Sequence, residues 1–167
     1  MPVGLFVARF QPLHKGHERA IKKALKLYEK VIVVIGSADK ARTENNPFTA
    51  EERKLMLEAV FSKEINEGKI EILTVEDKAS DEEWANEIIQ KVNFDEVYTA
   101  SDWVAKAFEG KKSVKKFKPS KYDVLNGTNI RRLMKEGNEE WKKYVNKKVI
   151  EIINRVAIKE FFSKLSP

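Results

Sequence analysis

The two histidines of the chain, His14 and His17, lie in one short segment with Gly16 between them. Arg9 lies five residues before His14. Imidazole and guanidinium groups donate hydrogen bonds that suit phosphate oxygens, and a glycine lets the backbone approach a ligand closely. These residue types therefore favour a phosphate-binding turn. The alternative is that the two histidines only cap and pack the start of a helix.

A second group of residues with the same chemistry lies late in the chain. Thr128, which follows Gly127, is a residue type preferred as a helix N-cap, and we predict a helix from Thr128 through Met134. Arg131 would then project from the first turn, at the end of the helix that attracts anions. Arg132 would point about 100° away, so at most one of the two arginines can face a phosphate squarely. A plain cap, with Arg131 on a solvated face, is the alternative.

Alternating strands and helices are predicted to position these groups. The predicted strands are Leu5–Phe10, Val31–Ile35, Ile70–Val75, Glu96–Thr99 and Val114–Phe117. The predicted helices follow Gly16, begin at Thr49, cover Glu82–Val92, follow Ser101 or Asp102, and form a tail over Val145–Leu165 with a break around Val156. This order predicts an α/β fold, a Rossmann-like doubly wound parallel sheet with a helical C-terminal tail, as a single domain over residues 1–167.

The ligand crevice of such a sheet lies at the carboxyl ends of its strands, and other candidate residues fall near it. Ser37, directly after a central strand, can bind a phosphate of a second substrate. Arg53 follows a predicted capping box formed by Thr49 and Glu52, and it can either brace the adjoining loop or pair with acids. Trp84 shares a helix face with apolar residues, a pattern more typical of a core residue than of a binding residue.

Composition excludes several other classes of protein. The chain has no cysteine, so disulfides and thiolate chemistry are excluded and the cytoplasm is the expected compartment. We expect no signal peptide and no membrane-spanning segment. The net charge is +6, but the lysines are mostly interleaved with glutamates, which is typical of exposed helix faces rather than of a nucleic-acid surface. The basic cluster Lys111–Lys121 is interpreted as a solvated loop and edge strand.

Three segments resemble a known family. Ala8–His17, with the sequence ARFQPLHKGH, is similar to the signature of nucleotidyltransferases with the HxGH motif, in particular those of the archaeal-type nicotinamide mononucleotide (NMN) adenylyltransferase family. Gly36–Ala38, followed by Asn46–Arg53, resembles that family's strand end, loop and helix start, and Asn126–Arg132 resembles its late phosphate motif. The matches follow one another in the family's order from near Val3 to Arg132.

The resemblance implies an enzyme that transfers AMP from ATP to NMN, giving NAD and pyrophosphate. It implies catalytic roles for His14, His17, Arg9 and Arg131. It implies ATP contacts for Phe10, Gly16, Gly127, Thr128 and Arg132, and acceptor contacts for Ser37, Asp77, Trp84 and Arg53. In this assignment Trp84 stacks on the nicotinamide ring. Magnesium is expected to arrive with ATP, no side chain is assigned as a metal ligand, and a homo-oligomer is expected.

The departures from the family concern the acceptor more than ATP. Ala41-Arg42 stands where the family has Ser-His, Asp81 stands where it has Asn, and Ala100-Ser101-Asp102 replaces its Gly-Asn-Pro. Loop and pocket side chains can change the acceptor without altering a phosphate site. Two alternatives therefore stay open: the same reaction on another phosphorylated acceptor, such as phosphopantetheine, FMN or a nucleotide-like phosphate, and a module that binds ATP or NAD without turnover.

Overall fold

A computed structural model describes residues 2–119 and 127–165 of the chain. Asn126 and Lys121, named above in the late phosphate motif and the basic cluster, lie outside these residues. The strands are β1 (Val3–Ala8), β2 (Lys30–Ile35), β3 (Ile70–Thr74), β4 (Glu96–Thr99) and β5 (Ser113–Lys116). The helices are α1 (Lys15–Leu27), α2 (Ala50–Val60), α3 (Ser62–Asn66), α4 (Asp81–Lys91), α5 (Asp102–Ala107), α6 (Gly127–Lys135), a 3₁₀ helix (Glu139–Tyr144), α7 (Lys147–Arg155) and α8 (Ile158–Leu165).

The strands form one sheet in the order β3-β2-β1-β4-β5, and every neighbouring pair is parallel. The chain runs outward from β1 through β2 to β3, then returns to the other side of β1 for β4 and β5. The direction of winding therefore reverses between β1 and β4, where an open α/β sheet has its ligand crevice. The predicted doubly wound fold is confirmed.

The sequence of β2 explains why it lies inside the sheet. Its residues from Val31 to Ile35 are all buried, with side chains that alternate between two cores. Val31, Val33 and Ile35 pack with α1, α2 and the C-terminal helices, whereas Ile32 and Val34 pack with α4 and α5. A continuous β-branched run is thus what a strand covered on both faces requires.

Several helix boundaries follow from local capping, as predicted. Thr49 accepts a hydrogen bond from the backbone of Glu52 at 3.1 Å, and the Glu52 carboxylate accepts one from the Thr49 N–H at 2.9 Å. Ser101 rather than Asp102 caps α5. The C-terminal tail breaks after Arg155, beside the predicted Val156. No helix in the described part of the chain is long and apolar enough to cross a membrane.

Other boundaries differ from the prediction. β1 ends at Ala8, so Arg9 and Phe10 belong to the turn that follows, and Phe10 has a left-handed backbone with φ of 56°. α6 begins at Gly127, which places Thr128 in the first turn of the helix rather than at its N-cap. The helix α3 and the 3₁₀ helix were not predicted, because both are too short to show an amphipathic period.

Candidate active site

The turn between β1 and α1 uses both histidines to close the start of the helix. His14 is the N-cap, and its Nδ1 accepts hydrogen bonds from the backbone N–H groups of Gly16 at 3.1 Å and His17 at 3.3 Å. In return, His17 Nδ1 accepts from the His14 N–H at 3.2 Å. The amides of Gly16 and His17 are therefore occupied by the cap.

These hydrogen bonds show the capping role that the sequence left as one of two alternatives, and they use only Nδ1 of His17. Because Nδ1 of His17 accepts a hydrogen bond, the proton of its neutral ring is assigned to Nε2. Burial, followed by His14 and Arg131 nearby, lowers the pKa of His17 well below its usual 6.5. The ring is further fixed by Phe10, which is buried, with 4.7 Å between the two ring centroids. His17 is thus a neutral hydrogen-bond donor at neutral pH rather than a cation.

The helix α6 brings Arg131 to this turn. Its Nη1 donates to the Gln11 carbonyl at 2.9 Å, and its Nη2 lies 3.3 Å from the Thr128 hydroxyl. Burial, together with Arg9, lowers the pKa of Arg131 to about 10, so the guanidinium stays charged at neutral pH. A Cβ atom at Gly127 would lie 2.6 Å from Nη1, so this position requires glycine if the guanidinium is to stay in place.

These elements enclose one pocket of about 290 Å³. Its lining contains most of the residues that the sequence assigned to catalysis and ATP, together with one that it did not: Arg9, Phe10, Gln11, His14, His17, Gly127, Thr128 and Arg131. The polar side chains in this lining are almost all nitrogen donors. We call this cavity the phosphate pocket.

Gln11 is a residue that the sequence gave no reason to select. It is buried, and its side-chain amide pairs with the backbone of Phe48, donating to the carbonyl at 3.0 Å and accepting from the N–H at 2.9 Å. The Gln11 carbonyl in turn accepts from Arg131. Gln11 therefore joins the β1–α1 turn to the β2–α2 loop and to α6. Its partner lies 37 residues away, so no local signal marks it.

Arg132 faces away from the phosphate pocket. It is exposed and forms an ion pair with Glu136 on the same helix at 3.0 Å. It lines a neighbouring cavity, which shares Thr128 and Arg131 with the phosphate pocket. In that cavity Lys135 and Glu44 form an ion pair at 2.7 Å. Arg131, not Arg132, is therefore the arginine of α6 that lies with the histidines.

The outer side of the histidine turn contacts the C-terminal part of the chain. Lys15 Nζ donates to the Lys143 carbonyl at 2.8 Å. The Asn146 side chain, which also caps α7, donates to the buried Glu18 carboxylate at 3.2 Å. The first turn of α1 is thus fastened on the side facing away from the phosphate pocket.

The residues predicted to contact the acceptor are held differently. Ser37 and Asp77, at the ends of β2 and β3, lie together, and the Ser37 hydroxyl donates to Asp77 at 2.8 Å. The Asp77 backbone N–H donates to Asp39 at 2.9 Å, a hydrogen bond that is the main cause of the lowered pKa of Asp39. Two strand ends are thereby joined in a small polar cluster at the crevice edge of the sheet.

Arg53 braces this edge from beneath. It is fully buried, and its guanidinium donates to the carbonyls of five residues: Thr49, Arg9, Gly36, Ser37 and Lys40. Burial lowers its pKa to about 10. Of the two roles that the sequence left open, bracing is therefore the one that the hydrogen bonds support. The five N–H donors of Arg53 already have partners, which corrects the expectation that Arg53 contacts the acceptor directly.

Trp84 lies in the core. It is 4% exposed and packs against Phe108 and against Trp103, whose ring centroid is 4.7 Å from its own. The hydrophobic pattern predicted this position, whereas the stacking role implied by the resemblance requires an open ring face. Trp103, which is 48% exposed, is the aromatic residue at the surface of this cluster.

Two further cavities have a different character. One, of about 200 Å³, shares His14 and His17 with the phosphate pocket but is otherwise mostly apolar, with Phe6 and Phe117 in its wall. It lies beside β1 and β4, where the winding of the sheet reverses. The other, of about 710 Å³, lies among α6, α7 and α8 and contains none of the residues predicted to bind substrate.

The described residues include no group of three or more His, Asp or Glu side chains arranged to hold a metal ion. The phosphate pocket presents imidazole and guanidinium groups, which match phosphate oxygens rather than a bare cation. This donor set fits a metal ion that is carried on the phosphates of a nucleotide.

The fold and the phosphate pocket are those expected of a nucleotidyltransferase, and comparison with known proteins agrees with this class. The model of the cytidylyltransferase-like family matches residues 5–160, and the chain belongs to that family. Among curated relatives, it is 38% identical over 157 residues to the nicotinamide-nucleotide adenylyltransferase of Archaeoglobus fulgidus, covering 90% of each chain. It is 36% identical over 156 residues to the enzyme of that name from Thermococcus kodakarensis, covering 92% of this chain and 82% of the relative.

The fold also matches solved structures. A bifunctional NMN adenylyltransferase/ADP ribose pyrophosphatase from Francisella tularensis, solved with AMP and a manganese ion, superposes with a TM-score of 0.78 at 22% identity. The match covers 98% of this chain and 52% of that one, so the chain spans about half the length of the Francisella protein. At this level of identity the likeness shows the fold.

Proposed function

We propose that this chain is a nicotinamide-nucleotide adenylyltransferase that transfers AMP from magnesium-bound ATP to NMN, releasing NAD and pyrophosphate. The observation that carries the proposal is the phosphate pocket, where two elements more than 100 residues apart bring Arg9, His14, His17 and Arg131 together. The archaeal relatives of that name, 34–38% identical over about nine tenths of the chain, support the choice of acceptor.

The reaction requires positioning and charge neutralisation rather than a protein nucleophile. An oxygen of the NMN phosphate attacks the α-phosphorus of ATP, and the bond from that phosphorus to the bridging oxygen of the β-phosphate breaks. Negative charge then gathers on the departing pyrophosphate. The charged guanidinium of Arg131 and the Nε2–H of His17 are set to donate to those oxygens before the reaction begins. Magnesium, bound to the phosphates as part of the substrate, neutralises further charge.

We place the adenine in the apolar cavity on the other side of the histidines, beside Phe117 and the end of β4. The two cavities share His14 and His17, so a nucleotide can extend from one into the other across the histidine turn. We place the acceptor toward Ser37 and Asp77, whose carboxylate and hydroxyl oxygens can accept hydrogen bonds from a ribose or an amide. The proposal also keeps the sequence-based expectations of a cytoplasmic, homo-oligomeric enzyme.

The test is pyrophosphate release with ATP and a panel of phosphorylated acceptors, followed by mass spectrometry of the product. We expect NMN to give NAD with the highest kcat/KM. Faster turnover of phosphopantetheine or FMN would show that NMN is not the preferred acceptor, while the reaction would still be adenylyl transfer. ATP binding without pyrophosphate release from any acceptor would identify a sensing module instead.

A further inference from the structure

The loop between β2 and α2, residues 36–49, contains a charged pair that no proposed substrate contact accounts for. Arg42 has a left-handed backbone with φ of 53°, a conformation that is unfavourable for a residue with a Cβ atom. Such a conformation persists where surrounding contacts hold it. Arg42 therefore marks a place where this loop is fixed by interactions rather than by its intrinsic preference.

The interactions that fix Arg42 come from one acid and one carbonyl. Its guanidinium binds both carboxylate oxygens of Glu52, at 2.8 and 2.7 Å, and donates to the Pro47 carbonyl at 2.6 Å. Burial disfavours the charged form of Glu52, but the hydrogen bonds from Arg42 and Thr49 lower its pKa, so the pair is ionised at neutral pH. A bidentate pair of this kind fixes direction as well as distance.

This pair reaches the phosphate pocket through a single residue. The loop segment closes on itself, because the Arg42 N–H donates to the Pro47 carbonyl at 3.2 Å and the Asn46 N–H donates to the Thr43 hydroxyl at 3.0 Å. The Asn46 side chain, projecting from this closed turn, accepts a hydrogen bond from Arg9 Nη1 at 3.2 Å. Arg9 is exposed and lines the phosphate pocket, so the hydrogen bond to Asn46 joins the pocket to this loop.

We propose that Arg42 and Glu52 are positioning residues, which set the direction of the Arg9 guanidinium through Asn46. This inference rests on the proposed function in one respect, namely that Arg9 holds the triphosphate.

The test compares Arg42→Ala, Glu52→Gln, Asn46→Ala and the Arg42→Ala/Asn46→Ala double variant. Glu52→Gln keeps an acceptor for the capping box of α2 and removes only the charge that holds Arg42. Lys30→Ala is the matched control, because Lys30 forms an ion pair with Glu71 at 2.6 Å near the amino ends of β2 and β3, at the other end of β2 from the loop. The measurements are kcat, the KM of each substrate and the melting temperature.

We expect Arg42→Ala and Glu52→Gln to raise the KM for ATP by about fivefold to tenfold and to lower kcat, with the acceptor KM changed less than about twofold. The double variant should be no worse than Asn46→Ala alone, because both changes remove one route to Arg9. Lys30→Ala should match the parent protein. Arg42→Lys should have a KM for ATP close to that of Arg42→Ala, since a single ammonium cannot form the same bidentate contact with the carboxylate.

Two results would overturn the inference. Independent effects that multiply in the double variant would show that Arg42 does not act through Asn46. A lowered melting temperature with unchanged kinetics would show that the pair only stabilises the loop. If the parent protein turns over no acceptor, the same variants are compared by calorimetric titration with magnesium-ATP, so failure of the proposed function and failure of this inference are separate outcomes.

Discussion

The side chains of the phosphate pocket and those at the predicted acceptor edge are held in opposite ways. His17 and Arg131 are fixed from behind by the backbone and by Phe10 while they line an open cavity. Ser37 and Asp77 are bonded to each other, and Trp84 is covered by Trp103. In the proposed function, the phosphate pocket is thus preorganised for a charge distribution that is common to all nucleotides. At the predicted acceptor edge, the side chains instead contact one another. In the proposed function, these contacts decide which second substrate fits.

The largest effect is expected from variants that separate capping from phosphate binding at His17. His17→Asn keeps an acceptor near Nδ1 for the cap but removes the Nε2 donor, and we expect kcat to fall by about 100-fold to 1000-fold with a nearly unchanged melting temperature. His17→Gln keeps a donor near Nε2 and should retain more activity. His17→Ala and His14→Ala should both lose at least two orders of magnitude in turnover. Near-native turnover of His17→Asn would leave capping as the only role of His17.

The two consecutive arginines test whether α6 presents one side chain to the phosphate pocket. Arg131→Ala should lower kcat/KM for ATP by about 100-fold, because a charged donor already in place is lost. Arg132→Ala should change it less than about threefold, since this exposed pair with Glu136 lies outside the pocket. Arg131→Lys controls for the buried Gln11 carbonyl, which alanine would leave without its partner. A larger loss at Arg132 would mean that the pocket is closed by a different face of α6 in the working enzyme.

Variants of Trp84 and Trp103 test which aromatic residue contributes to core packing and which to acceptor binding. Trp84→Ala should destabilise the fold by about 3 to 5 kcal/mol, because it leaves a large cavity in the core, and Trp84→Phe by less. Trp103→Ala should leave the melting temperature nearly unchanged and, if this residue takes the stacking role assigned to Trp84, raise the acceptor KM by about threefold to tenfold through loss of the exposed aromatic face beside Trp84. Thermal unfolding and both KM values separate these outcomes. A selective acceptor defect in Trp84→Phe, without loss of stability, would restore the stacking role to Trp84.

The smallest expected effect is a pH dependence of stability. The pKa of His17 is lower in the folded protein than the usual 6.5. Below about pH 6.5 the unfolded chain therefore binds a proton that the folded chain does not, and stability is lost as pH falls toward the folded pKa. We expect the melting temperature to decline as the pH falls below 6.5, and to decline less in His17→Asn. Identical profiles of the two proteins would contradict the neutral state of His17.

Local signals account for what could be predicted from the sequence. The cap formed by Thr49 and Glu52 spans a single helical turn, and the continuous apolar run of β2 shows its burial directly. The histidine motif is also a short local pattern, but the sequence left capping and phosphate binding open as alternatives for it. Roles that depend on distant partners were beyond the sequence. Arg53 donates to Arg9, 44 residues away, and Gln11 pairs with Phe48.

Position Thr128 shows the limit of local signals as well. Threonine after glycine is a common helix start, yet α6 begins one residue earlier and Thr128 lies beside the Arg131 guanidinium instead. The close approach of Gly127 to Arg131 explains the glycine at this position, because a Cβ atom there would lie 2.6 Å from the guanidinium. The preference of threonine for N-caps therefore indicated a helix here, but not the contact of the Thr128 hydroxyl with Arg131.

The contacts of Lys15 with Lys143 and of Glu18 with Asn146 also set the order in which this site can be assembled. The histidine turn leaves the ribosome 128 residues before each of the residues that fasten it, Lys143 and Asn146. A chain interrupted before Lys143 has the complete histidine motif but lacks both contacts that fasten the turn on its outer side. Nucleotide binding should therefore appear only after these contacts have formed.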